Sequence, residues 1–265
     1  MRFEFYPLRL EFTARELLFF PPGKAANTLR GALGTVLDGK VFAPVKSGEG
    51  PSGLADPPRP FVFRARHLDG RTIQAGEPFH FELNVFSREP EVFINAFAAL
   101  AEQGIGAARG KAHLDRVAGA DLVSIDLNPA PADIRHIRVE FLTPTELKQD
   151  GGIASEPRFP ILFARIRDSI STLRSLYGPG PLQIDFREIG ARAAAIRMMR
   201  CETRRVETRR RSSRTGQTHG IGGFTGFVDY EGDLAEFLPL LEAARWTGVG
   251  RQAVWGKGEI RLQRL

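Results

Sequence analysis

The sequence predicts an α+β protein in which the element order β-α-β-β-α-β occurs twice. The chain has 265 residues, a length that suits two domains of ordinary size. Hydrophobic residues make up 42% and charged residues 26%, which indicates a folded globular chain and not a disordered or coiled-coil one. Eight segments have strand character and four have helical spacing, in the same order in both halves.

The first half contains one copy of this order. Four of its segments have the apolar patterns of strands: residues 2–12, 61–66, 79–86 and 111–127. One helix follows the Pro-Pro-Gly turn that ends at Gly23, with Leu29 and Leu33 at helical spacing. The other helix begins at Pro90 and ends at Gly104.

The second half repeats the order. Its strand-like segments are residues 135–143, 196–209, 223–230 and 258–263. Helices are predicted over residues 159–177 and 234–245, the second with Asp233 as its N-cap. The run around residues 190–200 is also rich in helix formers, so the strand at 196–209 is predicted mainly from the repeated order.

This order is the ferredoxin-like arrangement, which RNA-recognition modules also use. We therefore expect two tandem ferredoxin-like domains, each an antiparallel sheet backed by helices. The proline-containing stretch Asn128-Pro129-Ala130-Pro131 marks the joint between a domain at residues 1–130 and a domain at residues 131–265. Many functions occur on this fold, so the order of elements alone predicts none of them.

Composition and motif searches exclude several classes of site. The single cysteine, Cys201, excludes an internal disulfide and a cysteine-based zinc site, and it favours a reducing, cytoplasmic compartment. The chain has no apolar run of about 18 residues, so no membrane span is predicted. No His-x-x-x-His pair and no phosphate-binding P-loop occur, so we predict no metal and no cofactor.

Positive charge is concentrated in one segment. Residues 197–214 hold eight arginines and two glutamates, a local excess of six that equals the net charge of +6 of the whole chain. Such an excess points to an anionic partner, most often a nucleic acid; a solvated arginine-rich face is the alternative. The arginines that we predict to bind RNA are Arg204, Arg205, Arg209, Arg210, Arg211 and Arg214.

A glycine-rich segment at residues 247–258 lies between the last helix and the last strand. Glycines let a backbone approach a phosphate closely and present its N–H groups, while basic and aromatic side chains add charge and a stacking face. A tight turn between helix and strand is the alternative. The residues of this loop that we predict to bind RNA are Gly248, Gly250, Arg251, Trp255, Gly256, Lys257 and Gly258.

Several segments together resemble a known family. GVGRQAVWGKGEI resembles the glycine-rich loop, and HIRVEFLTPTELK the opening strand of the second domain, of the CRISPR precursor-RNA-processing endoribonucleases in the RAMP superfamily. The stretch RSSRTGQTHGIGGFTGFVDYEGDLAEFLPLL resembles the same family. The resemblance implies two ferredoxin-like domains and metal-independent cleavage of CRISPR repeat RNA. In that reaction the 2′-hydroxyl attacks the adjacent phosphate and leaves a 2′,3′-cyclic phosphate.

This chain departs from the family at its catalytic residues. Relatives use a histidine near the first helix, whereas the first histidine here is His67. Catalytic residues are therefore not carried over by position. His219, in a glycine-rich and basic segment, is our first candidate because imidazole exchanges protons near neutral pH. Lys24 and Arg30, near the first helix, are the other candidates, since relatives place catalysis there.

Three classes of function stay open at this stage. The leading hypothesis is an endoribonuclease that binds and cuts CRISPR repeat RNA. The second is a RAMP protein that binds guide RNA without cutting it, as a subunit of a CRISPR effector complex. The third is a two-domain α+β protein unrelated to RNA, such as a metabolic enzyme or a scaffold.

Overall fold

The computed structural model describes residues 1–44, 57–129, 133–149, 151–207, 209–211, 218–220 and 222–265. In the first half, seven strands and three helices are described. The strands are β1 (Arg2–Ala14), β2 (Leu18–Phe19), β3 (Phe61–Arg64), β4 (Thr72–Ile73), β5 (Pro78–Val85), β6 (Ala112–Ala118) and β7 (Val123–Asp126). The helices are α1 (Ala25–Val36), α2 (Gly39–Phe42) and α3 (Pro90–Gln103).

The main sheet of the first half has the strand order β3-β5-β1-β6, and all its neighbours are antiparallel. Its central strand, β1, alternates buried and exposed side chains along most of its length, as a strand with one covered face does. β1 pairs with β5 from Tyr6 to Thr13, while its first residues pair with β7. The covered face packs against α1 and α3.

The described residues of the second half form eight strands and three helices. The strands are β8 (His136–Thr145), β9 (Lys148–Gln149), β10 (Gly152–Ile153), β11 (Arg197–Val206), β12 (Arg209–Arg211), β13 (Thr218–Gly220), β14 (Gly223–Glu231) and β15 (Ile260–Arg264). The helices are α4 (Phe159–Tyr177), α5 (Phe186–Ala193) and α6 (Leu238–Thr247).

The main sheet of the second half has the order β11-β14-β8-β15 and is also antiparallel. In both sheets the first long strand of the half lies between the third and the fourth, and the second lies at an edge. This is the ferredoxin-like order, so the predicted fold class of tandem ferredoxin-like units is confirmed. The domain division near residue 130 stays a prediction, and Ala130 and Pro131 lie outside the described residues.

Two clusters of buried side chains form the core. One lies entirely within the first half and includes Phe12, Phe81 and Phe97. The other fills the second half but also takes in Phe3 and Phe5 of β1. The start of β1 thus belongs to the core of the second half, although the rest of the strand belongs to the first.

Three elements differ from the sequence-based prediction. The segment 111–127 forms two strands, because the chain turns at Gly119, whose φ is +72°, and β7 pairs with a different part of β1. A separate helix, α5, precedes β11, and the carboxylate of its N-cap Asp185 accepts hydrogen bonds from the backbone of Arg187 and Glu188. The last helix begins at Leu238 and not at residue 234, with Pro239 in its first turn, so Asp233 is not its N-cap.

No helix in the described part of the chain is both long enough and apolar enough to span a membrane.

Candidate nucleic-acid interface

The glycine-rich loop, defined as residues 247–258, docks against both halves of the molecule. On one side, the carbonyl of Glu146, which follows β8, accepts a hydrogen bond from the Arg251 backbone at 3.0 Å. A Cβ on Gly250, whose φ is +78°, would overlap that carbonyl. On the other side, a Cβ on Gly256 would lie 2.5 Å from the Cβ of Ala26 in α1. Glycine at these two positions therefore lets the loop pack closely against both the end of β8 and α1.

Lys257 of the loop and Asp69 each bind a backbone group at the start of α1. The Lys257 Nζ donates to the carbonyl of Gly23 at 3.2 Å, and the side chain is only 6% exposed. Asp69 accepts a hydrogen bond from the Ala25 backbone at 2.8 Å and so caps α1 from outside the helix. Burial lowers the pKa of Lys257, and Asp69 opposes that shift. Burial also raises the pKa of Asp69, while the hydrogen bond from Ala25 opposes it.

Other predicted RNA-binding residues of the loop lie closer to its surface. Arg251 is about half exposed, and its Nη1 donates to the Glu146 carboxylate at 2.6 Å. Trp255 is half-buried, and its ring centroid lies 5.6 Å from the guanidinium carbon of Arg30 in α1. Lys24, immediately before α1, is half-buried. The structure thus brings Lys24 and Arg30 to the same junction of α1 and the loop as Trp255.

The arginines that we predict to bind RNA lie on β11 and on β12, which pairs with β13 in a short hairpin. Arg204 and Arg205 are exposed on β11, opposite Thr225 and Phe224 of β14. In the hairpin, the backbone of Arg210 pairs with that of His219. The hairpin also contains Arg209, opposite Gly220, and Arg211, opposite Thr218. Arg214 lies outside the described residues.

The start of β14 and the glycine-rich loop both lie at the C-terminal end of β8. Phe224, at the start of β14, pairs with Thr145, the last residue of β8. The next residue, Glu146, holds the loop through Arg251. The loop and the start of β14, the strand that follows the hairpin in the chain, therefore lie at the same end of this sheet.

A cleft of about 480 Å³ lies between the two main sheets and is lined by four arginines, namely Arg64, Arg66, Arg245 and Arg261. The Arg64 Nη2 donates to the carbonyls of Arg245 and Trp246 at 3.0 and 3.1 Å, and so caps the end of α6. The Arg66 Nε lies 3.2 Å from the Glu259 carboxylate, beside the loop. Glu82 and Glu259 also line the cleft, so four arginines against two glutamates leave its lining positive on balance.

Two histidines lie beside this cleft. The rings of His67 and His80 stack with centroids 4.5 Å apart, and a His67 ring nitrogen lies 2.8 Å from the His80 carbonyl. Burial lowers the pKa of His80, and His67 adds to that shift. His67 lies two residues before Asp69, which caps α1. His67, His80 and Glu82 also place ligand atoms within 4.8 Å of one another, although Arg9 donates to Glu82 at 3.3 Å and would compete with an ion.

Segments in both halves of the chain match known family models. Residues 139–260 match the family model described as CRISPR-associated endoribonuclease Cas6. This part of the chain, residues 139–260, belongs to the Cas6 family. A second family model, described as an N-terminal domain, matches residues 39–129. Members of the Cas6 family are endoribonucleases that process CRISPR repeat RNA. No curated protein matches the chain by sequence.

Solved Cas6 structures share the fold along nearly the whole chain. A Cas6 (TTHB231) product complex has a TM-score of 0.64 at 18% identity, over 98% of this chain and 99% of that one. Thermus thermophilus Cas6 (TTHB231) has a TM-score of 0.58 at 17% identity, over 99% of each chain. A Cas6-RT-Cas1–Cas2 complex has a TM-score of 0.64 at 10% identity, over 99% of this chain and 29% of that one. At these identities the likeness supports the fold alone.

Three residues of this Cas6 site were missed or ranked low by sequence reasoning. Asp69 carries no motif, and its role depends on a helix that lies far away in the sequence. Glu146 lies in the family-like segment HIRVEFLTPTELK, but nothing in that segment predicts that its carbonyl and its carboxylate hold the loop. His67 is not among the sequence-based candidates, because only the folded chain brings it near α1 through Asp69, which caps that helix. The predicted roles of the loop, the arginines, Lys24, Arg30 and His219 stay predictions.

Proposed function

We propose that this Cas6 protein cuts CRISPR repeat RNA without a metal ion. The 2′-oxygen of one nucleotide forms a bond to the adjacent phosphorus, and the bond from phosphorus to the 5′-oxygen breaks. A general base takes the proton of the 2′-hydroxyl, and a general acid gives a proton to the leaving 5′-oxygen. The products are a 2′,3′-cyclic phosphate and a 5′-hydroxyl.

The observation that carries this proposal is the convergence of cationic groups on the glycine-rich loop. The loop contacts α1, and Arg30 and Lys24 lie at that contact. The arginine hairpin starts at the other side of the loop, at the end of β8. Fixed positive charge at a scissile phosphate stabilises the charge that develops in the transition state. Arg204 and Arg205, which are exposed on β11, supply phosphate affinity that depends on salt.

The proton-transfer groups are proposed from position and chemistry. His219 stays our first candidate, because its backbone lies opposite Arg210 in the basic hairpin. Lys24 and Arg30 are candidates for charge stabilisation at α1. His67 joins them, because it is exposed and lies two residues before Asp69, which caps α1. Arginine stays protonated at neutral pH, so Arg30 would stabilise charge and not transfer a proton.

The test is cleavage of a 5′-labelled CRISPR repeat RNA in EDTA, with analysis of the product ends. We expect a 2′,3′-cyclic phosphate, and a requirement for added Mg²⁺ would contradict the proposal. Of the variants His219→Ala, Lys24→Ala and His67→Ala, the one that removes a proton-transfer group should lower the rate by about 10²-fold or more while binding changes little. His113→Ala on β6 is the matched control and should keep the wild-type rate.

The non-cleaving function is the second candidate, and one observation favours it. The described residues 1–44, which include α1, contain no histidine, although relatives use one near their first helix. A protein that only binds guide RNA for an effector complex has no need of that group. Tight binding of repeat RNA without cleavage in the same assay would support this function.

A further inference from the structure

A second cavity, separate from the glycine-rich loop, lies between the two halves of the molecule. Its volume is about 380 Å³, within the range of small-molecule sites. The walls come from the start of β1, the segment Phe86–Arg88 that follows β5, and the end of α4. It shares no lining residue with the loop or with the arginine-lined cleft.

Arg174, in the last turn of α4, lines this cavity and is only 7% exposed. In the described structure its Nε and Nη1 are buried without a hydrogen-bond partner. A guanidinium remains charged even where burial lowers its pKa, as burial does here. Buried donors of a charged group without hydrogen-bond partners are costly, so an anion that entered the cavity would satisfy them.

The other polar groups of the cavity suit an anion on one side. The Ser87 Oγ is buried and has no hydrogen-bond partner in the described structure. Arg88 is exposed and also lines the cavity, so a second guanidinium lies near its mouth. Glu4 lines the cavity as well; it raises the pKa of Arg174 and would weaken the binding of an anion. Two arginines and a hydroxyl against one carboxylate leave a net preference for negative charge.

The remaining walls are aromatic. Tyr6, Phe86 and Tyr177 line the cavity, and the exposed Leu122 forms part of its rim. The Tyr177 hydroxyl donates to the carbonyl of Pro58 at 2.6 Å, and burial raises the pKa of that phenol, so it stays neutral. Aromatic rings offer stacking faces for a planar base, while guanidinium and hydroxyl groups bind phosphate oxygens.

We propose that this cavity binds one nucleotide, with the phosphate on Arg174 and Ser87 and the base against the aromatic wall. The same chemistry fits a free nucleoside monophosphate or one nucleotide of an RNA strand. The inference does not depend on the cleavage reaction, because neither source requires the bond-breaking groups proposed at the loop.

The first arm of the test uses free nucleotides and isothermal titration calorimetry of the full chain. Each of the four ribonucleoside 5′-monophosphates is titrated, with the matching nucleosides and inorganic phosphate as controls. We expect at least one monophosphate to bind more tightly than its nucleoside and than phosphate. Arg174→Met should weaken that binding about tenfold or more, and Ser87→Ala should weaken it less. Glu4→Gln should strengthen it severalfold, a gain that damage to the fold would not produce.

The second arm uses a short single-stranded RNA with binding measured by fluorescence anisotropy. Loss of RNA affinity in Arg174→Met, with cleavage-site variants such as His219→Ala unaffected in binding, would identify an RNA strand as the source. Monophosphate binding with unchanged RNA affinity would identify a free nucleotide. Equal binding of both ligands to wild type and Arg174→Met, where thermal melting shows both to be folded, would overturn the inference. So would the absence of any monophosphate binding together with an unchanged RNA affinity.

Discussion

Gly256→Ala tests whether the glycine-rich loop is fixed to α1 as described. Gly256 has a φ of +73°, and an added Cβ would lie 2.5 Å from the Ala26 Cβ. A left-handed conformation costs an alanine about 1–2 kcal/mol. Forcing an extra methyl group into a packed contact costs about 1–3 kcal/mol more. We therefore expect the free energy of unfolding to fall by about 2–5 kcal/mol, with a loss of RNA binding as the loop leaves α1.

Urea denaturation measures the change, and two variants separate its causes. Gly76→Ala has a φ of +88° with no atom within 4 Å of the added Cβ, so it should lose only the conformational part, about 1–2 kcal/mol. Adding Ala26→Gly to Gly256→Ala removes one of the two clashing methyl groups and should recover most of the overpacking cost. If Gly256→Ala is no less stable than Gly76→Ala, the loop does not press on α1 and the reasoning is wrong.

Three further predictions concern the arginines and one acid. One variant replaces Arg204, Arg205, Arg209 and Arg210 by alanine. It should weaken RNA binding, and the slope of log affinity against log salt concentration should fall by about 0.7 for each lost phosphate contact. An unchanged slope would show that these side chains do not contact the RNA. Arg64→Met should lower the free energy of unfolding by about 2–3 kcal/mol in urea melts, because two carbonyls at the end of α6 lose their donor. The hydrogen bond from Arg138 lowers the pKa of Asp229 below 3.8, so wild type should lose stability as the pH falls through and below that value. Asp229→Asn should lack that part of the acid dependence in pH-dependent thermal melts, and an unchanged profile would count against the ion pair.

Elements with a strong internal pattern could be predicted from the sequence. α4 has the predicted bounds, 159 to 177, because its apolar residues follow the helical period and Pro160 and Gly178 mark its ends. Elements that depend on partners were harder. The split of β6 from β7 follows from pairing with two different parts of β1, which no local pattern reveals. A signal for α5 was present, since Asp185 followed by Glu188 is the spacing of a capping motif.

The residues of the candidate site also differ in how far the sequence alone could predict them. Local composition was enough to single out the glycine-rich loop and the arginine segment. Lys257 stays a predicted RNA contact, and its ammonium donates to the carbonyl of Gly23, a partner that local composition did not indicate. Asp69 and Glu146 act through contacts with residues far away in the sequence, so their positions become informative only in the folded chain.

The core of the second half has a consequence for how the chain is made. Phe3 and Phe5 are buried in that core, and the ring of Phe5 lies 4.9 Å from that of Trp246 in α6. β1 leaves the ribosome long before α6 does. Phe3 and Phe5 therefore lack their packing partners in α6 through most of translation. Folding of the second half therefore cannot be completed as an independent unit after the first. A nascent or truncated chain that ends before α6 is expected to expose this aromatic surface and to need a chaperone to stay dispersed.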